Sequence, residues 1–279
     1  MNNLSIKVVT GIFIALFTAT AIGSATAYAA TSPTLDAVGS YSVLGHTRVT
    51  NTGPTTMPGD LGVSIGGAPV GFPPGIVGPP GTIRNAADSL AAQNANTAAF
   101  GYIDQECDTT YTGTGAKELA GLDLPPGVYC ADAFELSGTL TLSGSGVWIF
   151  KSASTVITSG TANVVGGDPC SVWWREVSSA TLGTNTSLTG NVLALTSISL
   201  QTGATLNGRA LAQTGAVTLD ANTITGSECL TTPIYIKSVT PKLPNTGLMP
   251  KSDSYVLVTA SVALMTMLTL FIIQKKGSI

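Results

Sequence analysis

Groups able to do acid–base, nucleophilic or metal chemistry are few in this chain, and their spacing gathers none of them into a set. The carboxylates Asp60, Asp104, Glu118, Asp123, Asp132, Glu135, Asp168, Glu176 and Asp220 are scattered. No acid pair recurs at a fixed period, as stacking on neighbouring coils would require of a glycosidase. His46 is the one histidine of the sequence, and no Ser or Cys in a nucleophile setting accompanies it. Asp104, Glu106 and Asp108 form an acidic cluster that reads as a solvated helix end rather than a calcium site. The four cysteines include no C-x-x-C pair, and with a single histidine a zinc site is not expected. Their even number suits disulfides. Four cysteines allow three connectivities, of which we expect Cys107–Cys130 and Cys170–Cys229. An enzyme, a cofactor and a metal are all unexpected on this basis.

What the sequence does hold is threonine, placed on a repeat. Asn191–Thr196 lies 18 positions before Arg209–Thr214, and Gly190, Gly208 and Gly226 keep the same step. Each repeat has a nearly all-apolar piece, such as Val147–Phe150, Val172–Trp174, Val192–Leu195 or Ala210–Ala212. Two pieces that alternate at period two follow it, the mark of half-buried strands. Gly and Asn stand where the chain must turn. Three short strands per coil, stacked coil on coil, give a mainly β fold, a three-sided parallel β-solenoid. Leu182, Leu188, Leu200, Leu206, Leu219 and Ile224 would point inward. Outward on the third strands stand Thr139 and Thr141, Thr161 and Asn163, Ser187 and Thr189, Thr205 and Asn207, Thr223 and Thr225. The second strands carry a lesser stripe of Thr155, Thr181, Ser199 and Thr218. With strands about 4.8 Å apart and alternate residues about 6.7 Å apart, these make a regular grid of hydroxyls and methyls. The β-branch limits the rotamers, so the grid is ordered before contact and loses little entropy on contact. Such a lattice suits a repeating, crystalline surface.

One segment breaks the β pattern. From Thr82 to about Asp104, Ile83, Ala87, Leu90, Ala91 and Ala98 follow helical spacing, with Thr82 as the expected cap and Gly101 near the end. This long helix would pack along the side of the solenoid, on its two-sided apolar strands. Trp148, Trp173 and Trp174 are expected at that seam. The net charge of −3 and the lack of a basic patch exclude nucleic acid as a partner.

The two ends carry addresses. Lys7, the apolar stretch Val8–Ile22 and Ala27-Tyr28-Ala29 read as a signal peptide over residues 1–29, cut before Ala30. The solenoid domain then covers 30–230. A linker with Pro233, Pro241 and Pro244 follows over 231–253. Residues 254–279 hold an apolar run, Tyr255–Ile273, and the basic pair Lys275-Lys276. That run is long enough to span a bilayer, with the lysines on the cytoplasmic side. Leu243-Pro244-Asn245-Thr246-Gly247 ahead of it resembles the LPxTG sorting signal of sortase substrates. The resemblance implies cleavage after Thr246, transfer of Thr246 to peptidoglycan, and membrane contact before sorting. The expected location is therefore extracellular, on a Gram-positive-type wall.

The body resembles the DUF3494-type ice-binding proteins of bacteria and fungi. The resemblance rests on Tyr41–Gly45, Val49–Thr55, Gly59–Ser64, Gly71–Pro73, Leu124–Tyr129, Gly146–Phe150, Gly208–Ala212 and Gly215–Leu219. It implies a discontinuous solenoid whose N-terminal coil is not stacked in sequence order, with one helix along its side. It implies adsorption to ice by a monomer, with thermal hysteresis and inhibition of recrystallisation. Some members carry T-A/G-x-T/N on the ice face. Thr52-Gly53-Pro54-Thr55 and Thr202-Gly203-Ala204-Thr205 match that motif, while Thr158–Thr161, Thr184–Ser187 and Asp220–Thr223 depart from it. The resemblance thus implies Thr52, Thr55, Thr158, Thr161, Thr184, Ser187, Thr202, Thr205 and Thr223 as ice-contacting residues. A solenoid and a wall anchor also fit an adhesin for a polysaccharide or another cell.

Overall fold

A computed structural model describes residues 29–226. After a short 3-10 turn at Asp36–Val38, β1 (Tyr41–Gly45), β2 (Arg48–Thr52) and β3 (Thr56–Met57) make one coil. Strands β4 (Asp60–Val63) and β5 (Ile76–Val77) belong to the next. Helix α1 (Ala86–Tyr102) follows. Then come β6 (Thr109–Glu118) with β7 (Asp123–Leu124), and β8 (Gly127–Leu136) with β9 (Thr139–Leu142). Three-strand coils complete the described residues: β10 (Trp148–Ser152), β11 (Val156–Thr158) and β12 (Asn163–Gly166); β13 (Val172–Glu176), β14 (Ala180–Leu182) and β15 (Ser187–Thr189). The last two are β16 (Asn191–Ala194), β17 (Ile198–Leu200) and β18 (Thr205–Asn207), and β19 (Ala210–Ala212), β20 (Ala216–Asp220) and β21 (Thr223–Ile224).

All strand pairs are parallel, and their order shows the discontinuity. On the helix face the stack runs β6, β8, β10, β13, β16, β19, β1, β4. The N-terminal coils thus sit beyond the C-terminal one. The second face runs β6, β8, β11, β14, β17, β20, β2, and long β8 bends round the corner to serve both faces. The third face is β7, β9, β12, β15, β18, β21, β3, β5. After β4 and β5 the chain must travel back along the whole stack before β6 can start. Seven inter-strand steps of about 4.8 Å amount to about 34 Å. The 17 residues of α1 cover about 25 Å of that at 1.5 Å per residue, and the flanking segments supply the remainder.

The helix starts at Ala86. Asn85 caps it, its side chain accepting from Asp88 N at 2.9 Å. The expected cap, Thr82, is instead held by Asp60 Oδ1, which accepts from its backbone N at 2.9 Å. The expected start at 82 was too early, because Ile83 still bridges to Leu61 as part of the stack. The buried side of α1 is small and polar. Gln93 Nε2 donates to the carbonyls of Ala212 and Gln213 at 3.1 Å, and Gln213 Nε2 donates back to Asn96 O. Leu44, Leu193, Leu211, Ile149 and Trp173 form the apolar seam beneath it.

Trp148 and Trp174, also expected at this seam, lie inside the solenoid instead. Alternation decides the matter: Trp148, Phe150, Val172 and Trp174 point inward, Ile149 and Trp173 outward. Inside, Tyr129, Phe150 and Trp174 stack at 5.4 and 4.2 Å between ring centroids. The six expected inward residues, Leu182, Leu188, Leu200, Leu206, Leu219 and Ile224, are all buried.

Two joints hold the discontinuous stack. Arg209, fully buried, donates from Nη1 to Asn191 Oδ1 at 2.9 Å and from Nη2 to Gly39 O at 2.7 Å. Asn222 Nδ2 donates to the carbonyls of Gln201 and Ala204, and Asn222 N donates to Thr55 Oγ1 at 3.0 Å. Each residue ties three successive segments of the stack together. The Cys107–Cys130 disulfide is present as expected. Cys170 is also disulfide-bonded, and its expected partner, Cys229, lies outside the described residues. So do the expected signal peptide, the LPNTG sequence and the apolar run. Among the described residues no helix is long and apolar enough to cross a membrane.

Candidate functional site

The register assembles one long outward row on the third face. Thr139, Asn163, Ser187, Thr205, Thr223, Thr56 and Ile76 are successive Cα partners across seven strands. Their neighbours, two residues on, are Thr141, Val165, Thr189, Asn207 and Thr225, with Asp123 at the far edge. Inward residues between them, Leu140, Val164, Leu188, Leu206 and Ile224, anchor the sheet in the core. The first row carries no charge. Among the described residues, the hydroxyls of Thr139, Ser187, Thr205, Thr223 and Thr56 make no hydrogen bond. They are left to bind water; those of Ser187, Thr205, Thr223 and Thr56 stand about 4.8 Å apart from rung to rung, and Asn163 lies between Ser187 and Thr139.

A second row runs along the corner between the second and third faces: Ser159, Thr184, Thr202, Asp220 and Thr52. Each precedes a residue with positive φ, namely Gly160, Asn185, Gly203, Ala221 and Gly53. This left-handed step turns the chain onto the third face. Gly203 is at +72° without penalty, whereas Ala221 is at +49°, where a Cβ costs about 1–2 kcal/mol. Unlike those of the first row, these hydroxyls are partly committed. Thr202 Oγ1 donates to an Asp220 carboxylate oxygen, and Thr184 Oγ1 to Gln201 Oε1 at 3.5 Å.

Of the nine residues expected to contact ice, Thr184, Thr202 and Thr52 are therefore on the corner row, and Ser187, Thr205 and Thr223 on the third-face row. Thr161 is exposed in the turn but off both rows. Thr158 and Thr55 are buried, so neither offers a surface hydroxyl. Thr158 pairs with Leu136 in register and, like Val156, is a buried position of β11; its Oγ1 lies 2.7 Å from Thr186 Oγ1 and accepts from Gly183 N. Thr55 Oγ1 is the acceptor for Asn222. For Thr161 and Thr55 the cause is the corner length. Thr161 and Pro54 each add one residue between the left-handed step and the next outward position. This makes Asn163, not Thr161, the partner of Thr139, with Val165 beside it, and gives Thr56, not Thr55, the outward place. Thr139 and Asn163 belong to the outward grid expected from the sequence, though not to the nine residues implied for ice contact. Thr56 belongs to neither, and counting back from the inward Met57 would have found it.

The second face differs. Its central outward row reads Glu118, Glu135, Ile157, Thr181, Ser199, Thr218, Thr50 and Val70. Ile157, rather than the expected Thr155, is the partner of Thr181. Two carboxylates occupy one end of this row, and Arg48 and Asp220 flank its other end.

Asp104, Asp108, His46 and Glu176 have structural partners. Asp104 pairs with Lys151 Nζ at 2.7 Å and Arg175 Nη2 at 3.1 Å. Its carboxyl is held below the ordinary range, first by the Lys151 hydrogen bond. Asp108 Oδ2 accepts from Val128 N at 2.8 Å. Among the described residues no group of His, Cys, Asp and Glu is arranged to hold a metal. His46 Nδ1 lies 2.8 Å from Ser64 Oγ. Glu176 is buried beside Ser152, whose hydroxyl donates to it. Desolvation pushes its carboxyl up to about 8.

Comparison with known proteins agrees with this architecture. An ice-binding protein of Nostoc sp. (strain HG1) is 41% identical over 224 residues, covering 77% of this chain and 81% of its own length. One from Flavobacterium frigoris (strain PS1) is 29% identical over 208 residues, covering 68% and 75%. Among solved structures, an ice-binding protein from an Antarctic biological consortium superposes with a TM-score of 0.66 at 36% identity, over 71% of this chain and 93% of that one. One from the Antarctic ascomycete Antarctomyces psychrotrophicus gives 0.64 at 36% identity, over 70% and 98%. The sequence profile described as Ice-binding-like matches residues 43–225, and the chain belongs to that family.

Proposed function

We propose that this protein adsorbs to ice through its third face, centred on Thr139, Asn163, Ser187, Thr205, Thr223 and Thr56. The observation that carries this is the uncharged row of in-register side chains whose hydroxyls have no partner in the protein. Rigid strands fix their spacing, so many weak contacts to ordered water add up without fresh entropic cost. The second face has a similar hydroxyl stripe but keeps charges whose hydration opposes contact with ice. The relatives named as ice-binding proteins support the same class of ligand.

Fluorescently labelled protein on a growing ice hemisphere tests this reading. Incorporation of label, with shaped crystals and inhibited recrystallisation, is the expected result. Exclusion of label from the ice sinks it.

We further propose display on the cell wall, supported by the Leu243, Pro244, Thr246 and Gly247 signature ahead of an apolar, lysine-ended tail. Sortase would cut after Thr246 and join it to peptidoglycan, so the protein would protect or attach its own cell. Release of the protein only by wall-digesting enzymes, with Thr246 carrying a peptidoglycan fragment by mass spectrometry, is the expected outcome. Recovery of the whole protein in the culture medium ending at its natural C-terminus overturns it.

A further inference from the structure

We propose that Asp220 bounds the ice-contacting surface and holds down its activity, an inference that rests on ice adsorption through the third face. Four successive rungs carry three outward rows. On the second face they are Thr181, Ser199, Thr218 and Thr50; on the corner Thr184, Thr202, Asp220 and Thr52; on the third face Ser187, Thr205, Thr223 and Thr56. Among these twelve positions Asp220 is the one charged side chain. It sits in the middle rungs, half-buried, and forms no ion pair among the described residues.

Its carboxylate acts in two ways. First, an unpaired charge keeps a tight hydration shell, and stripping or reordering that shell against a crystal is costly. Second, it accepts a hydrogen bond from the Thr202 hydroxyl, turning that donor along the surface instead of out of it. The corner row therefore loses two adjacent positions, and contact is confined to the third face rather than continuing onto the corner. The backbone does not require a carboxylate here. The fixed element is Asp220 N, which donates to Asn222 Oδ1 at 2.7 Å, and any residue other than proline supplies it.

Two variants separate the roles. Asp220→Asn keeps an acceptor for Thr202 while removing the charge. Asp220→Ala removes both and frees the Thr202 hydroxyl. Thermal hysteresis and the concentration that halts recrystallisation are measured for wild type and both variants, with melting temperature as the check on folding. The expected result is a rise in activity of about twofold or more for Asp220→Asn, as the cost of crowding one hydrated charge against ice disappears. Asp220→Ala should rise at least as much. Activity at or below wild type in Asp220→Asn, with an unchanged melting temperature, overturns the inference. So does a fall in Asp220→Ala alone, which would make Asp220 a positioning residue for Thr202. A wild type with no ice affinity is a different failure and removes the third-face proposal itself.

Discussion

The helix face and the third face are built on the same rungs with the same spacing, yet one is sealed and the other open. On four successive rungs the helix face points Arg175, Leu193, Leu211 and Leu44 outward, and α1 covers the leucines. The corresponding rungs of the third face point Ser187, Thr205, Thr223 and Thr56 outward, and no element of the described residues covers them. The inward halves of both faces are equally apolar. Only the outward residue decides whether a parallel sheet becomes an internal layer or a surface. Leucine there demands a lid, and burying each one stabilises by about 1.5–3 kcal/mol. Threonine there is stable when wet, because its methyl and hydroxyl suit an exposed strand.

The comparison breaks most visibly if a third-face residue proves dispensable. Thr205 stands near the middle of the row, so Thr205→Tyr lifts any crystal away from its neighbours. Ice activity should fall more than about tenfold, the loss of roughly 1.4 kcal/mol or more of adsorption free energy. The melting temperature should stay near wild type, since the side chain faces solvent. Hysteresis measured beside a thermal melt checks both halves of the statement.

The reverse holds on the helix face. Leu211 is fully buried between the sheet and α1, so Leu211→Ala should cost about 2–5 kcal/mol in denaturant unfolding. At temperatures where the variant stays folded, activity per folded molecule should be unchanged. Loss of activity without loss of stability would mean that the lid and the open face are coupled.

The core between the faces offers a third test. Glu176 lies on the inward row Ser152, Glu176, Ala194, Ala212, where two alanines leave it room. Burial raises its carboxyl from an ordinary 4.5 to about 8. Below pH 4.5 both folded and unfolded chains hold the proton, and this group costs nothing. Between those values the unfolded chain releases its proton while the folded one keeps it, so stability falls as pH rises and levels off above about 8. Glu176→Gln should flatten this dependence. It should be the more stable protein at pH 9 by several kcal/mol, about 1.4 kcal/mol for each unit by which the carboxyl is raised, with little difference at pH 4. Parallel urea melts across that window measure it. Equal slopes for both proteins would mean that the carboxyl is not desolvated.

The same alternation explains what the sequence could reveal. The inward leucines were legible because a polar residue stands on either side of each. Val172-Trp173-Trp174 was not, since strands apolar on both sides carry no period, and two tryptophans were assigned to the wrong side. Stacking out of sequence order was implied only by family resemblance; its physical signs, Arg209 reaching Gly39 and Asn222 reaching Thr55, are contacts at sequence separations of 170 and 167. The outward row was read correctly at Ser187, Thr205 and Thr223, each two residues past the left-handed step. It slipped at Thr161 and Thr55, where one extra corner residue changes which side faces water.

The smallest effect is expected on the second face, and it is the sharpest discriminator. Ser199 lies between Thr181 and Thr218, on the same rung as Thr205, and its hydroxyl is equally unengaged. A tyrosine there is as large an obstruction as at 205. If hydroxyl spacing alone made an ice surface, both substitutions would be equally harmful. The charges of Glu118, Glu135, Arg48 and Asp220 on and beside the second face argue that they are not. Ser199→Tyr should leave hysteresis within about a factor of two of wild type and stability within about 0.5 kcal/mol. A loss matching that of Thr205→Tyr would show that ice meets the second face or wraps the corner, and that the charged end of the row lies outside the contact.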